Sequence, residues 1–235
     1  LEAPRSLREV AADLTARAVP LVFVDTCAVI DVVRFANTDR DIKLDVIEDT
    51  QRLVNAARRG SVALVGSELL ALEVNDHLQG EVLAATAALS KRSAEVTRVM
   101  EGLDLRIGPG SRAAWDALRT KLLGLPDNLR DLADALLGEV AQVGDDRECL
   151  ELARVRAVLR FAPSHKKESR KDCEIFEHAL ALSKRLSGAG HAKRRVFATV
   201  NLSDFDPTLL RAELSDAGLD IVPSLSHAYQ RVGCP

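Results

Sequence analysis

Most of the 35 acidic residues in this chain must be ordinary solvated surface, so the informative ones are those placed where a charge is costly. Asp25 directly follows the apolar run Leu21 to Val24 and precedes Thr26-Cys27-Ala28-Val29-Ile30. It therefore stands at the carboxyl end of a buried strand, the edge at which open α/β sheets bind ligands. Taken alone, Asp25 is explained equally well as the N-cap of the helix that follows. Asp172 is harder to explain as structure. In a helix predicted over 169–186 it shares a face with Ile175, Phe176, Ala179 and Ser183, while Glu174, Glu177, His178, Lys184 and Arg185 lie opposite. A carboxylate in the first turn of an apolar stripe needs a cation or several hydrogen bonds. A salt bridge or the helix N-terminus is the structural alternative.

Asp204 lies in Thr199-Val-Asn201-Leu-Ser-Asp204-Phe-Asp206-Pro207, just beyond another strand-like run. Asp206 before Pro207 is a ready N-cap, which leaves Asp204 without a local structural task. Asn201, at the strand end, is placed to orient water or an acid, or to stabilise a turn. Glu73 flanks the buried line Leu70, Val74 and Leu78 of a helix predicted over 68–78, where a solvated glutamate is the default. Carboxylates gathered at the end of a parallel sheet suit Mg²⁺ or Mn²⁺, hard cations that favour oxygen ligands. One or two such ions activate water and stabilise the charge of a phosphodiester undergoing hydrolysis.

The elements that must position these acids are legible in outline. Brief apolar, β-branched runs at Leu21 to Val24, Val62 to Val65, Val196 to Val200 and Leu219 to Val222 predict strands, the last an edge strand because Asp220 interrupts it. Helical spacing fills Leu7 to Ala18, Ala28 to Ala36, Leu44 to Arg59 and Glu68 to Leu78. A further helical block runs from about 80 to 160, punctuated at Gly108-Pro109-Gly110, Gly124-Leu125-Pro126 and Gly144-Asp145-Asp146 and holding no strand candidate. Strands alternating with helices predict a three-layer α/β/α sandwich on a parallel sheet, with the block as a helical insertion. A single domain over 3–235 is expected.

Composition narrows the classes. A net charge of −3 gives no overall pull toward polyanions, so any such attraction must come from local clusters of Lys and Arg. The four cysteines, Cys27, Cys149, Cys173 and Cys234, have no paired short spacing, which argues against a zinc motif or a disulfide framework and suits a reducing cytoplasm. No apolar run approaches the roughly 20 residues that span a bilayer, and no basic segment followed by an apolar signal core opens the chain, so no membrane association is expected. No glycine-rich phosphate loop follows a strand, and the histidines lack metalloprotease spacing. His77 and His178 are expected as satisfied residues on helix flanks, and Cys27 and Cys173 as packing residues.

The segment Val-Phe-Val-Asp25-Thr-Cys-Ala-Val-Ile closely resembles the opening strand and first acid of the PIN domain family. In the same order, Ser67 to Glu73 resembles the family's second acidic helix, and Lys171-Asp172-Cys-Glu-Ile its third-acid helix. Phe-Ala-Thr199-Val-Asn201-Leu-Ser-Asp204-Phe resembles the strand and loop of its fourth acid. The resemblance spans about Leu21 to Val222, the helical block being extra, and the basic segment His165-Lys-Lys-Glu-Ser-Arg170-Lys171 before the third acid is similar to that of a PIN-like branch with longer chains. It implies a Mg²⁺- or Mn²⁺-dependent endoribonuclease whose catalytic and metal-binding acids are Asp25, Glu73, Asp172 and Asp204, with Thr26 and Asn201 in support. Because many small members are toxins restrained by a partner, it also makes the chain a candidate toxin of a toxin-antitoxin pair, with an antitoxin protein as a candidate partner; a second copy of the chain is a separate candidate.

The basic segment His165-Lys166-Lys167-Glu-Ser-Arg170-Lys171 precedes Asp172. Lys166, Lys167, Arg170 and Lys171 are expected to grip phosphates near the metal, a solvated loop being the alternative. Lys193, Arg194 and Arg195 are expected at the amino end of the third strand-like run, away from the site. Arg119, Arg130, Arg154, Arg156 and Arg160 of the helical block are candidates for lining a groove. A non-catalytic PIN-like RNA-binding or scaffold module, and a nuclease acting on DNA, are the alternatives to an RNA-cutting enzyme.

Overall fold

The computed structural model describes residues 3–34, 44–107 and 110–233. Phe35 and Ala36, the Gly108-Pro109 break and Cys234 lie outside the described residues. The elements run α1 (Leu7–Arg17), β1 (Leu21–Val24), α2 (Thr26–Arg34), α3 (Leu44–Arg58), β2 (Ala63–Ser67), α4 (Leu69–Ile107) and α5 (Gly110–Leu123). They continue with α6 (Leu125–Gly138), β3 (Val140–Val143), α7 (Arg147–Val158), α8 (Arg170–Gly188), β4 (Arg195–Ala198), α9 (Arg211–Ala217), β5 (Asp220–Val222) and α10 (Leu225–Val232).

All five strands are parallel, in the order β3-β2-β1-β4-β5. β1 is central, pairing Leu21 with Ala63 on one side and with Arg195 on the other. Because successive strand residues point to opposite faces, β1 divides its side chains between two cores. Val22 and Val24 pack with residues of α2, α3, α4, α6 and α10, whereas Leu21 and Phe23 pack with residues of α1, α8 and α9. The expected three-layer α/β/α sandwich follows from that division. On the second face Phe23, Phe176, Phe197 and Phe205 form a ring cluster, with Phe197 and Phe205 centroids 5.1 Å apart. Each such burial contributes on the order of 1.5–3 kcal/mol.

Local chemistry sets the element ends. Ser6 and Glu9 form a reciprocal capping box at the start of α1, and Asp146 accepts from the Glu148 and Cys149 amides to start α7. Gly66 lets β2 approach α4 closely, since a Cβ there would lie 2.5 Å from Leu70 Cδ2. Gly218 takes φ +62° in the turn from α9 to β5, a conformation that costs glycine least.

Four features differ from the sequence reading. The block at 80–160 does hold a strand: β3 pairs beside β2 as the edge opposite β5. The helix expected over 68–78 does not stop there, because no proline or capping signal interrupts it, and α4 passes through Gly80 to Ile107. The face of α8 opposite Asp172 is not wholly solvated; Glu177 and His178 are buried under α7 and the turn before it. A further helix, α10, follows β5 and packs against the first core. Among the described residues no helix is long and apolar enough to cross a membrane, and Cys27, Cys149 and Cys173 are free.

Candidate metal centre

The carboxyl ends of β1 and β4 bring the site together. The Asp25 amide donates to Ala198 O at 3.1 Å and the Thr199 amide to Val222 O at 3.0 Å, so both residues are fixed by the extension of the strand ladder. Asp25 is buried, and its Oδ2 accepts from Thr199 Oγ1 at 2.7 Å and from Cys27 Sγ at 2.6 Å. Burial, with a smaller contribution from the nearby charge of Asp172, pushes its carboxyl up to about 6 against the hydrogen bonds from Cys27 and Thr199. The same burial, with the Asp25 charge beside it, raises the Cys27 thiol strongly and keeps it protonated as a donor.

Glu73 projects from the beginning of α4 toward the start of α2. Thr26 Oγ1 donates to its Oε2 at 2.8 Å, and Lys171 Nζ lies 2.9 Å from its Oε1. That pairing raises the Lys171 ammonium. Asp172, in the first turn of α8, accepts from Ser169 Oγ. Its carboxyl is also raised: burial is the largest cause, opposed by the Ser169 bond, and the charges of Asp204 and Glu73 add to it. Asp204 is buried in the loop after β4, where Asn201 Nδ2 donates to its Oδ2 at 2.8 Å and Lys167 Nζ stands 3.9 Å away.

Asp25, Thr26, Glu73, Asp172 and Asn201 line one pocket of about 230 Å³, together with Cys27, Arg34 and His77. Asp204 does not line it, but its charge reaches Asp172. A larger depression of about 460 Å³ lies between α9 and β5, where Asp220 is paired with Arg231 at 2.9 Å and no carboxylates gather. We place the candidate site at the smaller pocket on chemical grounds. Among the described residues, no three His, Cys, Asp or Glu side chains are placed so that they could hold one ion between them. The donor set nevertheless fits a hard divalent cation: it is made of carboxylate oxygens, and the charge of half-buried Asp172 raises buried Asp25, while those of Asp204 and Glu73 raise Asp172.

The supporting residues fall into place unevenly. Thr26 serves Glu73 and Asn201 serves Asp204. Of the basic segment, Lys171 and Lys167 approach site acids, Arg170 pairs with Glu174 on its own helix at 2.7 Å, and Lys166 is exposed. Arg194 and Arg195 sit at the amino end of β4, bonded to Arg231 O and Ser183 O. Arg156 lines no groove: it is buried, bonded to Glu177 at 2.7 Å and to Glu213, and lies over the Phe176 ring. Asp206 caps the turn ahead of α9 by accepting from the Thr208 amide at 2.8 Å. Thr199 is not singled out by its place in the sequence and Cys27 is expected there only to pack, although both stand two residues from a named site residue, Thr199 from Asn201 and Cys27 from Asp25.

The fold and site define an α/β protein with a five-stranded parallel sheet and an acid-lined pocket at its carboxyl edge. No family model, no curated protein and no solved structure matches the chain.

Proposed function

We propose that the protein is a divalent-metal-dependent nuclease acting on RNA, of the PIN-like kind that its acidic segments resemble. The observation that carries this reading is the convergence of Asp25, Glu73 and Asp172, from three separate elements, on one pocket at the carboxyl edge of the sheet. A bound Mg²⁺ or Mn²⁺ supplies Lewis-acid activation of water and neutralises phosphate charge. The chain's own residues do the rest. Thr199 and Cys27 hold Asp25 in place and favour its ionised form, Thr26 aims Glu73, and Asn201 aims Asp204. Lys166 and Lys167, exposed on the segment before α8, offer charge to the flanking phosphates.

One observation favours a second reading, a binding module without turnover: Lys171 already satisfies Glu73, and among the described residues no three acids are placed to hold one ion. Cleavage of a single-stranded RNA and of DNA of the same sequence, with Mn²⁺ and with EDTA, separates the readings. RNA cleavage that needs Mn²⁺ and is abolished in Asp25→Asn and Asp172→Asn is the expected result. Full activity in both variants overturns the assignment. RNA binding without cleavage gives the binding module, and preferential DNA cleavage changes the substrate.

A further inference from the structure

Two cations of the segment entering α8 rest on site carboxylates. Lys171 Nζ is 2.9 Å from Glu73 Oε1, and Lys167 Nζ is 3.9 Å from Asp204 Oδ2. By contrast, the side chains of Asp25 and Asp172 accept hydrogen bonds from uncharged Thr199, Cys27 and Ser169. Among the described residues the acids of the site are thus of two kinds: Asp25 and Asp172, with no cation at ion-pair distance, and Glu73 and Asp204, each with a lysine beside it.

The segment is a built structure. Arg156 Nη1 donates to Ala162 O at 2.7 Å, Ser164 Oγ donates to Lys167 O at 3.3 Å, and the Ser169 amide donates to Ser164 Oγ at 2.8 Å. The lysine side chains themselves remain 66% and 71% exposed, for Lys171 and Lys167 respectively, so either can leave its carboxylate without opening a cavity. Glu73 would not lose its aim, because Thr26 still holds the other oxygen at 2.8 Å.

We propose that Lys171 is an exchangeable counter-cation, occupying Glu73 in the metal-free protein and giving it up when a divalent ion enters. The inference rests on the metal reading above and assigns Lys171 a role as a positioning residue for Glu73. The ion and Lys171 compete for Glu73, so removing Lys171 tightens metal binding, whereas loss of a merely structural contact leaves binding unchanged or weakens it. The freed ammonium stays at the mouth of the pocket, within reach of a phosphate. Because the pair is solvent-exposed and weak, the competition is worth about a two- to five-fold change in affinity.

The test is calorimetric titration of Mn²⁺ into the wild type, Lys171→Met, Lys171→Arg, Arg170→Met and Asp25→Asn. Arg170 is the neighbouring cation but pairs with Glu174, so its removal controls for the loss of a nearby charge. Lys171→Met should bind Mn²⁺ about two- to five-fold tighter than wild type, with Lys171→Arg and Arg170→Met close to wild type and Asp25→Asn much weaker. Binding by Lys171→Met equal to or weaker than wild type, with Asp25→Asn still impaired, overturns the exchange and leaves the metal reading standing. An equal gain in Arg170→Met also overturns it, because charge alone then suffices. No Mn²⁺ binding by the wild type overturns both.

Discussion

Thr199 Oγ1 donates to Asp25 Oδ2 at 2.7 Å, joining residues 174 positions apart at the ends of two neighbouring strands. The hydroxyl also accepts from the Asn201 amide at 3.1 Å, so one buried oxygen links the first acid to the loop that carries Asp204. A hydrogen bond to a charged group contributes roughly 1.5–3 kcal/mol, and leaving a buried partner unsatisfied has a comparable cost. Thr199→Val should therefore raise the Asp25 carboxyl above about 6 and weaken Mn²⁺ binding, and Thr199→Ser should restore both. Carboxyl ¹³C shifts followed against pH report the first effect. An unmoved Asp25 titration in Thr199→Val would show that the hydroxyl does not govern the acid.

The raised carboxyl of Asp25 has a thermodynamic sign. Its proton is held to about pH 6 in the folded chain, against the usual 3.8. Between those values the native state binds more protons than the unfolded one, so stability falls as pH rises from about 4 to about 6 and is level above. The effect amounts to on the order of 3 kcal/mol. In EDTA, Asp25→Asn should gain by up to about that amount over wild type at pH 7.5 and lose the advantage near pH 4. Urea denaturation at the two pH values measures it. A difference independent of pH contradicts the burial argument.

Much of this arrangement can be read from the chain, for identifiable reasons. β1, β2 and β4 announce themselves because strands buried on both faces must be short apolar runs, and the ends of β1 and β4 locate Asp25 and Asp204, while β5 is legible as an edge strand through the apolar residues around the exposed Asp220. Asp172 is visible because its helix has a clear apolar stripe. β3 is hidden: Val140-Ala-Gln-Val143 has only two β-branched residues, lies at an edge and follows a helix directly. Glu177 and His178 look solvated by periodicity, but α7 supplies Arg156 as the partner that lets Glu177 go under, and His178 Nε2 accepts from the Asp146 amide at 3.2 Å. A buried ion pair of this kind depends on tertiary neighbours that no local spacing reveals. Thr199 is equally silent, since a threonine at a strand end is unremarkable until Asp25 is seen beside it.

Arg156 also makes a stability prediction. Its side chain is 8% exposed and that of Glu177 9%, and it bonds Ala162 O as well. Removing one member strands a buried charge, at a cost of about 3–5 kcal/mol. Arg156→Ala should lose that much, and the double variant Arg156→Met with Glu177→Met should recover a large part of it. Chemical denaturation of the three proteins decides, and a loss below about 1 kcal/mol in Arg156→Ala would show that the pair behaves as a surface contact.

Binding to the native state alone raises stability in proportion to the logarithm of ligand concentration. Mn²⁺ should therefore raise the melting temperature of the wild type progressively and leave Asp25→Asn and Asp172→Asn unmoved. Equal shifts in all three would place the ion elsewhere on the protein.

Everything proposed for the site depends on the pocket between Asp25, Glu73 and Asp172 holding a divalent cation. Anomalous diffraction from crystals grown with Mn²⁺ tests it without reference to any substrate. A peak within ligand distance of the Asp25 and Asp172 carboxylates, with Lys171 drawn off Glu73, is the expected result. Well-diffracting Mn²⁺-saturated crystals with no anomalous density in that pocket would contradict it.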